Sequence, residues 1–139
     1  MTNLRSGSPE EVESLMRHLP EFSTQTSASN IEKRLNEKPG QIMICESNLK
    51  PIGFLVAYLE DPSVFYNWIM GVLPGHRKSG FASVMMNQFE KTAVHYNCEL
   101  VKVKTMNKYR SMLSLLIARG YNITAYEEAK ITFERNVQR

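Results

Sequence analysis

The chain has 139 residues, and its 17 Lys and Arg against 14 Asp and Glu give a formal net charge of +3. Hydrophobic residues make up 42% and charged residues 22%, which excludes a disordered chain and predicts a single globular domain over residues 1–139. The basic residues are scattered, so no nucleic acid is expected as a partner. No apolar run approaches the roughly 20 residues that cross a membrane, and the polar N-terminus is unlike a secretory signal, so we expect no membrane contact and a cytoplasmic protein.

Cysteine and histidine are sparse and widely separated. Cys45 and Cys98 each stand alone, and His18, His76 and His95 are far apart along the chain. These spacings match no zinc motif, so we expect no metal site. Two reduced, buried thiols are typical of such a chain in the cytosol.

Two helices are predicted in the first third of the chain. Ser8 and Glu11 have the spacing of a capping box, with a proline between them at the first helical position. Apolar residues then recur at helical spacing up to residue 19. Ser29 and Glu32 repeat the capping pattern and predict a second helix that ends before the Pro-Gly pair at 39–40.

Strands dominate the rest of the chain. The pattern predicts strands at 41–47, 52–60 and 64–73, a helix at 80–96, a strand at 99–105, a helix capped by Asn107, and a final hairpin, with a weak extra strand before residue 6. In the last helix, Met112, Leu113, Leu116 and Ile117 are expected to face inward. This order predicts an α+β fold with a mixed sheet, in which the strands before and after the long helix are parallel.

The segment with the clearest indication of function joins a predicted buried strand to the longest predicted helix. It reads Val72-Leu73-Pro74-Gly75-His76-Arg77-Lys78-Ser79-Gly80-Phe81-Ala82. Amides at a helix N-terminus concentrate about half a positive charge, and Arg77 and Lys78 add full charges. Gly80 and Ala82 allow a ligand to approach the backbone closely. These features suit a pyrophosphate group, although an ordinary solvated loop explains the same spacing, and neither a Walker P-loop nor a GxGxxG turn is matched.

The same residues resemble the acetyl-CoA signature of the GNAT N-acetyltransferase superfamily. The family pattern is (Q/R)-x-x-G-x-(G/A) after a strand that ends in V-x-P, and it is matched by Val72, Pro74, Arg77, Gly80 and Ala82. The resemblance extends to the Gly-Phe pair at Gly53 and to the Gly-Tyr pair that ends the segment 115–121. The order of elements also agrees with the family from about residue 8 to residue 135.

The resemblance implies a GNAT-like mixed, splayed β-sheet of about six to seven strands flanked by about four helices. It also implies acetyl-CoA as co-substrate, in the gap between the strands that end at Leu73 and Thr105. Backbone groups at Met70 and Val72 would pair with the pantetheine arm. The pyrophosphate would be held by the turn and helix start, namely Arg77, Lys78, Ser79, Gly80, Phe81, Ala82 and Ser83.

The implied reaction is direct attack of a primary amine on the acetyl thioester, with the backbone amide of Val72 as donor to the oxyanion. The chain departs from the family at the acid, because Leu116 occupies the position of the usual tyrosine. Tyr109 aligns with a family asparagine and is a substitute acid, or else a packing residue. Asn107, two residues away, is a candidate cofactor ligand.

A base is also missing, since no carboxylate lies between Phe65 and Met70, where family members often place one. Glu60 and Asp61 are the nearest along the chain, and Asn67 and Trp68 are candidates to shape the acceptor pocket. These departures favour an alternative, a non-catalytic acyl-CoA-binding regulatory domain of the same fold. A nucleic-acid-binding module is a third reading, supported only by the net charge.

The acceptor is predicted only as an amine on a small molecule or a peptide. A polyamine, an amino acid, an aminoglycoside-like amine and a protein N-terminus all satisfy the sequence. The polar segment Phe22–Ala28 is expected to form the rim of the acceptor pocket, and a homodimer is compatible with the sequence.

Overall fold

The computed structural model describes residues 1–20 and 26–139 and contains a seven-stranded mixed sheet with helices on both faces. The elements in chain order are β1 (Thr2–Ser6), α1 (Pro9–Met16), α2 (Ala28–Glu37), β2 (Gly40–Ser47), β3 (Lys50–Asp61), β4 (Val64–Val72), α3 (Phe81–His95), β5 (Leu100–Met106), α4 (Arg110–Ala118), β6 (Asn122–Glu127) and β7 (Lys130–Asn136). A short 3-10 turn, Pro74–His76, leads from β4 towards α3. The predicted α+β class is confirmed, and so is the weak strand before residue 6.

The strand order across the sheet is β1-β2-β3-β4-β5-β7-β6. Neighbouring strands are antiparallel except for β4 and β5, which are parallel. A parallel pair needs a long crossover connection, and α3 provides it. The predicted parallel relationship around the long helix is therefore confirmed.

The two parallel strands separate halfway along their length. Pairing joins Val64–Asn67 of β4 to Leu100–Val103 of β5 and then stops, although both strands continue. Trp68 is an extra residue in β4 at this point, because the residues before and after it pair with consecutive residues of β3. Such a β-bulge bends a strand and increases its twist. The second half of β4 therefore diverges from β5, which produces the expected splayed sheet.

Helices bury an apolar cluster on each face of the sheet. On the side called here the α3 face, α3 and α4 cover a cluster that includes Phe65, Met85, Met86, Phe89, Val101, Leu116 and Phe133. On the opposite side, the α1 face, α1 and α2 cover a second cluster that includes Val12, Met16, Ile31, Phe54 and Ile69. Full burial of each large side chain contributes about 1.5–3 kcal/mol. Of the helices within the described ranges, none is long and apolar enough to span a membrane.

The helix starts follow the predictions only in part. In α1, Ser8 Oγ accepts a hydrogen bond from the amide of Glu11 at 3.2 Å, and the Glu11 carboxylate accepts one from the amide of Ser8 at 3.1 Å, so the capping box is confirmed. The predicted cap of α2 was wrong. Ser27 is the N-cap and accepts from the amide of Asn30 at 3.2 Å, while Ser29 lies inside the first turn.

The start of α4 also corrects the prediction. Asn107 lies in a turn and caps no helix, because β5 runs on to Met106 and the turn uses the next two residues. Tyr109 is the N-cap, and its amide donates to the carbonyl of Met106 at 3.0 Å. Of the side chains expected to face inward, Leu116 is fully buried but Ile117 is 60% exposed. Fewer side chains of α4 therefore face the core than predicted.

Candidate active site

The gap between β4 and β5 opens into a cleft of about 1210 Å³. Its walls are β4 from Tyr66 onward, β5 from Val103 onward, the turn after β4, the start of α3, the first turns of α4 and Lys130 of β7, with Met16 and Thr26 from the α1 face. Because its lining comes from both faces, the cleft passes through the sheet. Typical ligand cavities measure about 300–1,000 Å³, so this one has room for an extended ligand.

The edge of β4 directs backbone groups into this cleft. The amide of Leu73 donates to the carbonyl of Ile52 in β3 at 2.8 Å. Successive N–H groups of a strand point to opposite edges, so the amides of Val72 and Met70 point away from β3 towards the gap. The carbonyl of Val72 accepts a hydrogen bond from Nε of Arg77 at 3.0 Å.

The start of α3 presents backbone amides beside the same edge. Gly80 is the N-cap, with φ of +84°, and no side chain caps the helix. The first backbone bond is donated by Val84 to Gly80 at 3.1 Å, so the amides before Val84 have no acceptor within the helix. A Cβ built on Gly80 would meet no atom within 4 Å. Glycine is therefore favoured here by the positive φ, and the space in front of it is open.

The structure brings most of the sequence-predicted site residues to the cleft. Those that line it are Met70, Val72, Arg77, Lys78, Gly80, Phe81, Ala82, Ser83 and Tyr109. Ser79 and Asn107 do not line it: the Ser79 hydroxyl donates to the carbonyl of Arg77 at 3.4 Å, and Asn107 is exposed in the turn before α4. A role in cofactor binding stays a prediction for all of these residues.

The charge of the cleft is one-sided. Its lining includes the basic side chains Arg77, Lys78, Lys104, Lys108, Arg110 and Lys130, and no Asp or Glu is among the described residues that form it. Such a lining attracts anionic ligands. Across the described ranges, no three His, Cys, Asp or Glu side chains lie together as metal ligands would.

Candidates for a proton donor lie at different depths. Leu116, at the family's acid position, is fully buried in the core under α4. Tyr109 lines the cleft, and its ring centroid is 5.3 Å from Nζ of Lys108. Tyr66 lines the cleft as well, and burial raises its pKa to about 12, so its hydroxyl is protonated at neutral pH. Among the described residues that line the cleft, the candidate proton donors are therefore tyrosine hydroxyls and not carboxylic acids.

Glu60, one of the two carboxylates nearest along the chain to the position expected for a base, forms an ion pair elsewhere. Glu60 accepts a hydrogen bond from Nζ of Lys102 at 2.8 Å and does not line the cleft. This ion pair lies beside the closed half of the β4–β5 pair, away from the gap.

Asn67 occupies the point where the two strands part. It is only 3% exposed, lines the cleft and is the last residue of β4 that pairs with β5. Its Nδ2 lies 3.5 Å from Sδ of Met86 and 3.7 Å from Sδ of Met70. Thioether sulfur is a weak acceptor. A ligand carbonyl at this position would be a better partner for the amide.

Trp68, the bulge residue, lines the cleft from the α1 face and is half-buried. The Arg34 guanidinium lies 5.2 Å from the ring centroids of both Trp68 and Tyr58 and donates to the Tyr58 hydroxyl at 2.7 Å. Sequence patterns gave no sign of the bulge or of this cluster. Of the predicted rim, Phe22–Ala28, residues 22–25 lie outside the described residues, and Thr26 lines the cleft.

A profile of the acetyltransferase (GNAT) family matches residues 9–121. Solved structures with the same fold include Ard1 from Thermoplasma volcanium, with a TM-score of 0.86, 20% identity and 99% of each chain covered. The ribosomal-protein-S18-alanine N-acetyltransferase from Escherichia coli has a TM-score of 0.84 at 10% identity, over 100% of this chain and 96% of that one.

A third structure, a GNAT family acetyltransferase from Elizabethkingia anophelis with acetyl-CoA bound, has a TM-score of 0.76 at 16% identity over 97% of each chain. At these identities the structures establish the fold alone. No curated protein is significantly similar to the chain in sequence.

Proposed function

This chain belongs to the acetyltransferase (GNAT) family, and from that premise we propose that it transfers an acetyl group from acetyl-CoA to a primary amine by direct attack of the amine on the thioester. The observation that carries the proposal is the gap between β4 and β5, which opens beside the uncapped start of α3. The acceptor is an amine on a small molecule or a peptide.

The residues around the gap fit acetyl-CoA. The backbone groups of Met70 and Val72 at the strand edge suit the amide groups of the pantetheine arm. The amides at the start of α3, next to Gly80, suit the pyrophosphate, and Arg77 and Lys78 add charge. When bound, acetyl-CoA supplies the acetyl group as an activated thioester.

The reaction requires that the amine lose a proton, that the oxyanion be stabilised and that the leaving thiolate be protonated. An alkylammonium has a pKa near ~10 and must lose a proton before its nitrogen attacks. With no carboxylate among the described residues of the cleft, water takes that proton. The amide of Val72 donates to the developing oxyanion, and one such donor contributes roughly 3–4 kcal/mol in well-studied enzymes. As the C–S bond breaks, the CoA thiolate accepts a proton from Tyr109 or from solvent.

A second function has specific support. The absence of a carboxylate from the described lining and the burial of Leu116 at the usual acid position both suit a domain that binds acyl-CoA without turnover. In that case the cleft senses acyl-CoA, and the residues that bind it are the same as those proposed for the enzyme.

Two measurements test the proposal. Calorimetry with acetyl-CoA establishes whether the cleft binds it. Release of free CoA thiol is then followed over a panel of amines that includes peptides, since the E. coli structure is of a protein named for an alanine of ribosomal protein S18. Acetyl-CoA binding together with amine-dependent thiol release supports the enzyme. Binding without release on any amine supports the non-catalytic domain, and no binding contradicts both.

A further inference from the structure

Under the proposed function, on which this inference rests, the cofactor and the acceptor enter the cleft from opposite ends. The phosphate-binding amides at the start of α3 lie on the α3 face, because α3 packs there. An acceptor that attacks the thioester from the other end of the cleft arrives from the α1 face. The side chains that line this end therefore decide which amine is admitted.

Two lysines of the lining point to the α1 face. In β5, Val101 and Val103 pack into the cluster on the α3 face, so Lys102 and Lys104 point the opposite way. The position of Lys102 agrees, since its Nζ is 5.8 Å from the centroid of the Tyr66 ring, which in turn contacts the aromatic cluster under α2. In β7, Ile131 packs with the α3-face cluster, which turns Lys130 to the α1 face.

Neither lysine is neutralised within the part of the chain that is described. Lys104 and Lys130 are both exposed, and neither has a carboxylate oxygen within 4 Å among residues 1–20 and 26–139. Acidic side chains on β3, β6 and β7 also point to this face. Glu60 binds Lys102, Glu134 is the cross-strand neighbour of Lys102, and Glu127 is opposite Lys130 without forming an ion pair. None of these three lines the cleft.

We propose that the acceptor is an amine that carries a carboxylate near the reacting nitrogen, and that Lys104 and Lys130 bind this carboxylate. Charge-assisted hydrogen bonds from ammonium groups suit a carboxylate. The same two charges repel a polycation, so a polyamine is a poor acceptor. The carboxylate belongs either to a free amino acid or to an acidic side chain next to a peptide N-terminus, and both sources present the same chemistry.

Matched acceptors separate charge from shape. Serine is compared with serinamide, and the C-terminally amidated peptide Ser-Asp-Ala with Ser-Asn-Ala, while spermidine serves as the polycation. We expect kcat/KM to be at least about tenfold higher for the charged member of one pair. The first pair reports a free amino acid and the second a peptide. Equal rates within both pairs, or a preference for spermidine, would overturn the proposal.

Variants assign the effect to the two lysines. Lys104→Met with Lys130→Met removes both charges, and Lys50→Met, at an exposed lysine at the start of β3, is the matched control. The double variant should raise KM about tenfold for the charged acceptor only, with kcat and acetyl-CoA affinity unchanged and with a smaller effect at high salt. A loss of acetyl-CoA affinity instead would assign the lysines to the cofactor and overturn the proposal.

A binding measurement separates this inference from the proposed function. The CoA complex is titrated calorimetrically with N-acetylserine, N-acetylserinamide and the acetylated forms of the two peptides, which need no turnover to bind. Tighter binding of a charged product that depends on Lys104 and Lys130 supports the carboxylate site even if no amine is acetylated, in which case the proposed function alone fails. Amine acetylation with no preference for charged products leaves the enzyme in place and refutes the carboxylate site.

Discussion

Nε of Arg77 donates a hydrogen bond to the backbone carbonyl of Val72, 3.0 Å away. Val72 is the last residue of β4, and Arg77 follows the 3-10 turn, so this contact fastens the turn to the strand edge. The amide of the same residue, Val72, is the proposed oxyanion donor. Under the proposed function, Arg77 would therefore position this edge of the sheet in addition to contributing charge to the cleft.

Arg77→Ala should weaken acetyl-CoA binding by about tenfold, because one charged contact is lost while the backbone amides of α3 stay in place. Arg77→Lys keeps the charge but not the planar group that reaches Val72. We expect Arg77→Lys to lower kcat more than it weakens binding, as measured by steady-state rates and calorimetry. Equal binding by parent and Arg77→Ala would show that Arg77 does not contact the ligand.

Gly80→Leu should abolish acetyl-CoA binding while the domain stays folded. The side chain would enter the open space at the start of α3, and the positive φ would cost about 1–2 kcal/mol. Gly75→Leu is the matched control, because Gly75 is in the same connection, has no neighbours within 4 Å of a built Cβ and does not line the cleft. Calorimetry measures the affinity, and circular dichroism checks the fold. Normal binding by Gly80→Leu would mean that this turn is not the pyrophosphate site.

Tyr109→Phe should lower the acetyl-transfer rate by at most about 10²- to 10⁴-fold, the usual contribution of a positioned acid, because solvent also protonates a good thiolate leaving group. The rate should rise with pH in both proteins as the acceptor amine loses its proton, since no carboxylate base lines the described cleft. A pH–rate profile of parent and variant on one acceptor tests both points. An unchanged rate in the variant would remove Tyr109 from the chemistry.

Asn67→Leu should leave the free energy of unfolding within about 1 kcal/mol of the parent, because the buried amide gives up only weak contacts to thioethers. Phe65→Ala, two residues earlier in the core, should cost about 3–5 kcal/mol. If Asn67 donates to a carbonyl of the bound ligand, Asn67→Leu should weaken acetyl-CoA binding. Denaturant unfolding measures the stability and calorimetry the affinity, and an unchanged affinity would contradict this contact.

Glu90 should make the fold sensitive to acid. Its carboxylate lies 2.6 Å from Nη2 of Arg119, 3.2 Å from Nη2 of Arg135 and 2.9 Å from the Tyr121 hydroxyl. Burial raises the pKa of Glu90, but the hydrogen bonds from Arg119 and Tyr121 outweigh burial and hold its pKa below the usual range. A carboxylate with a lowered folded pKa contributes stability above its unfolded pKa of about 4.3, and this contribution is lost as pH falls through the folded pKa.

Glu90→Gln should therefore be less stable than the parent by about 2–3 kcal/mol at pH 7, and the difference should narrow below about pH 4. Glu99→Gln, at an exposed carboxylate, is the control and should match the parent throughout. Urea unfolding at a series of pH values gives the comparison. If the difference in free energy of unfolding stayed constant with pH, the charge of Glu90 would not be the source of its contribution to stability.

Some features set by neighbours along the chain could be predicted, whereas the register of the strands and the side chains that it brings together could not. The capping box at Ser8 depends on residues three apart, and the turn at Gly80 carries a local signature, so both were found. The bulge at Trp68 depends on how β4 registers with β3, which no local pattern encodes. Lys104 and Lys130 lie on the same face of neighbouring strands only because β5 pairs with β7.

The divergence of β4 from β5 gives this sheet inner edges in addition to the outer edges at β1 and β6. Unpaired strand edges invite pairing with other extended chains, and the bulge at Trp68 blunts one of them by twisting it. A pantetheine arm lying along Met70 and Val72 would act as a surrogate strand. Occupancy would then complete the hydrogen-bonded network of the sheet, so that slower hydrogen exchange of the backbone amides along the second half of β4 would show that the cleft is occupied.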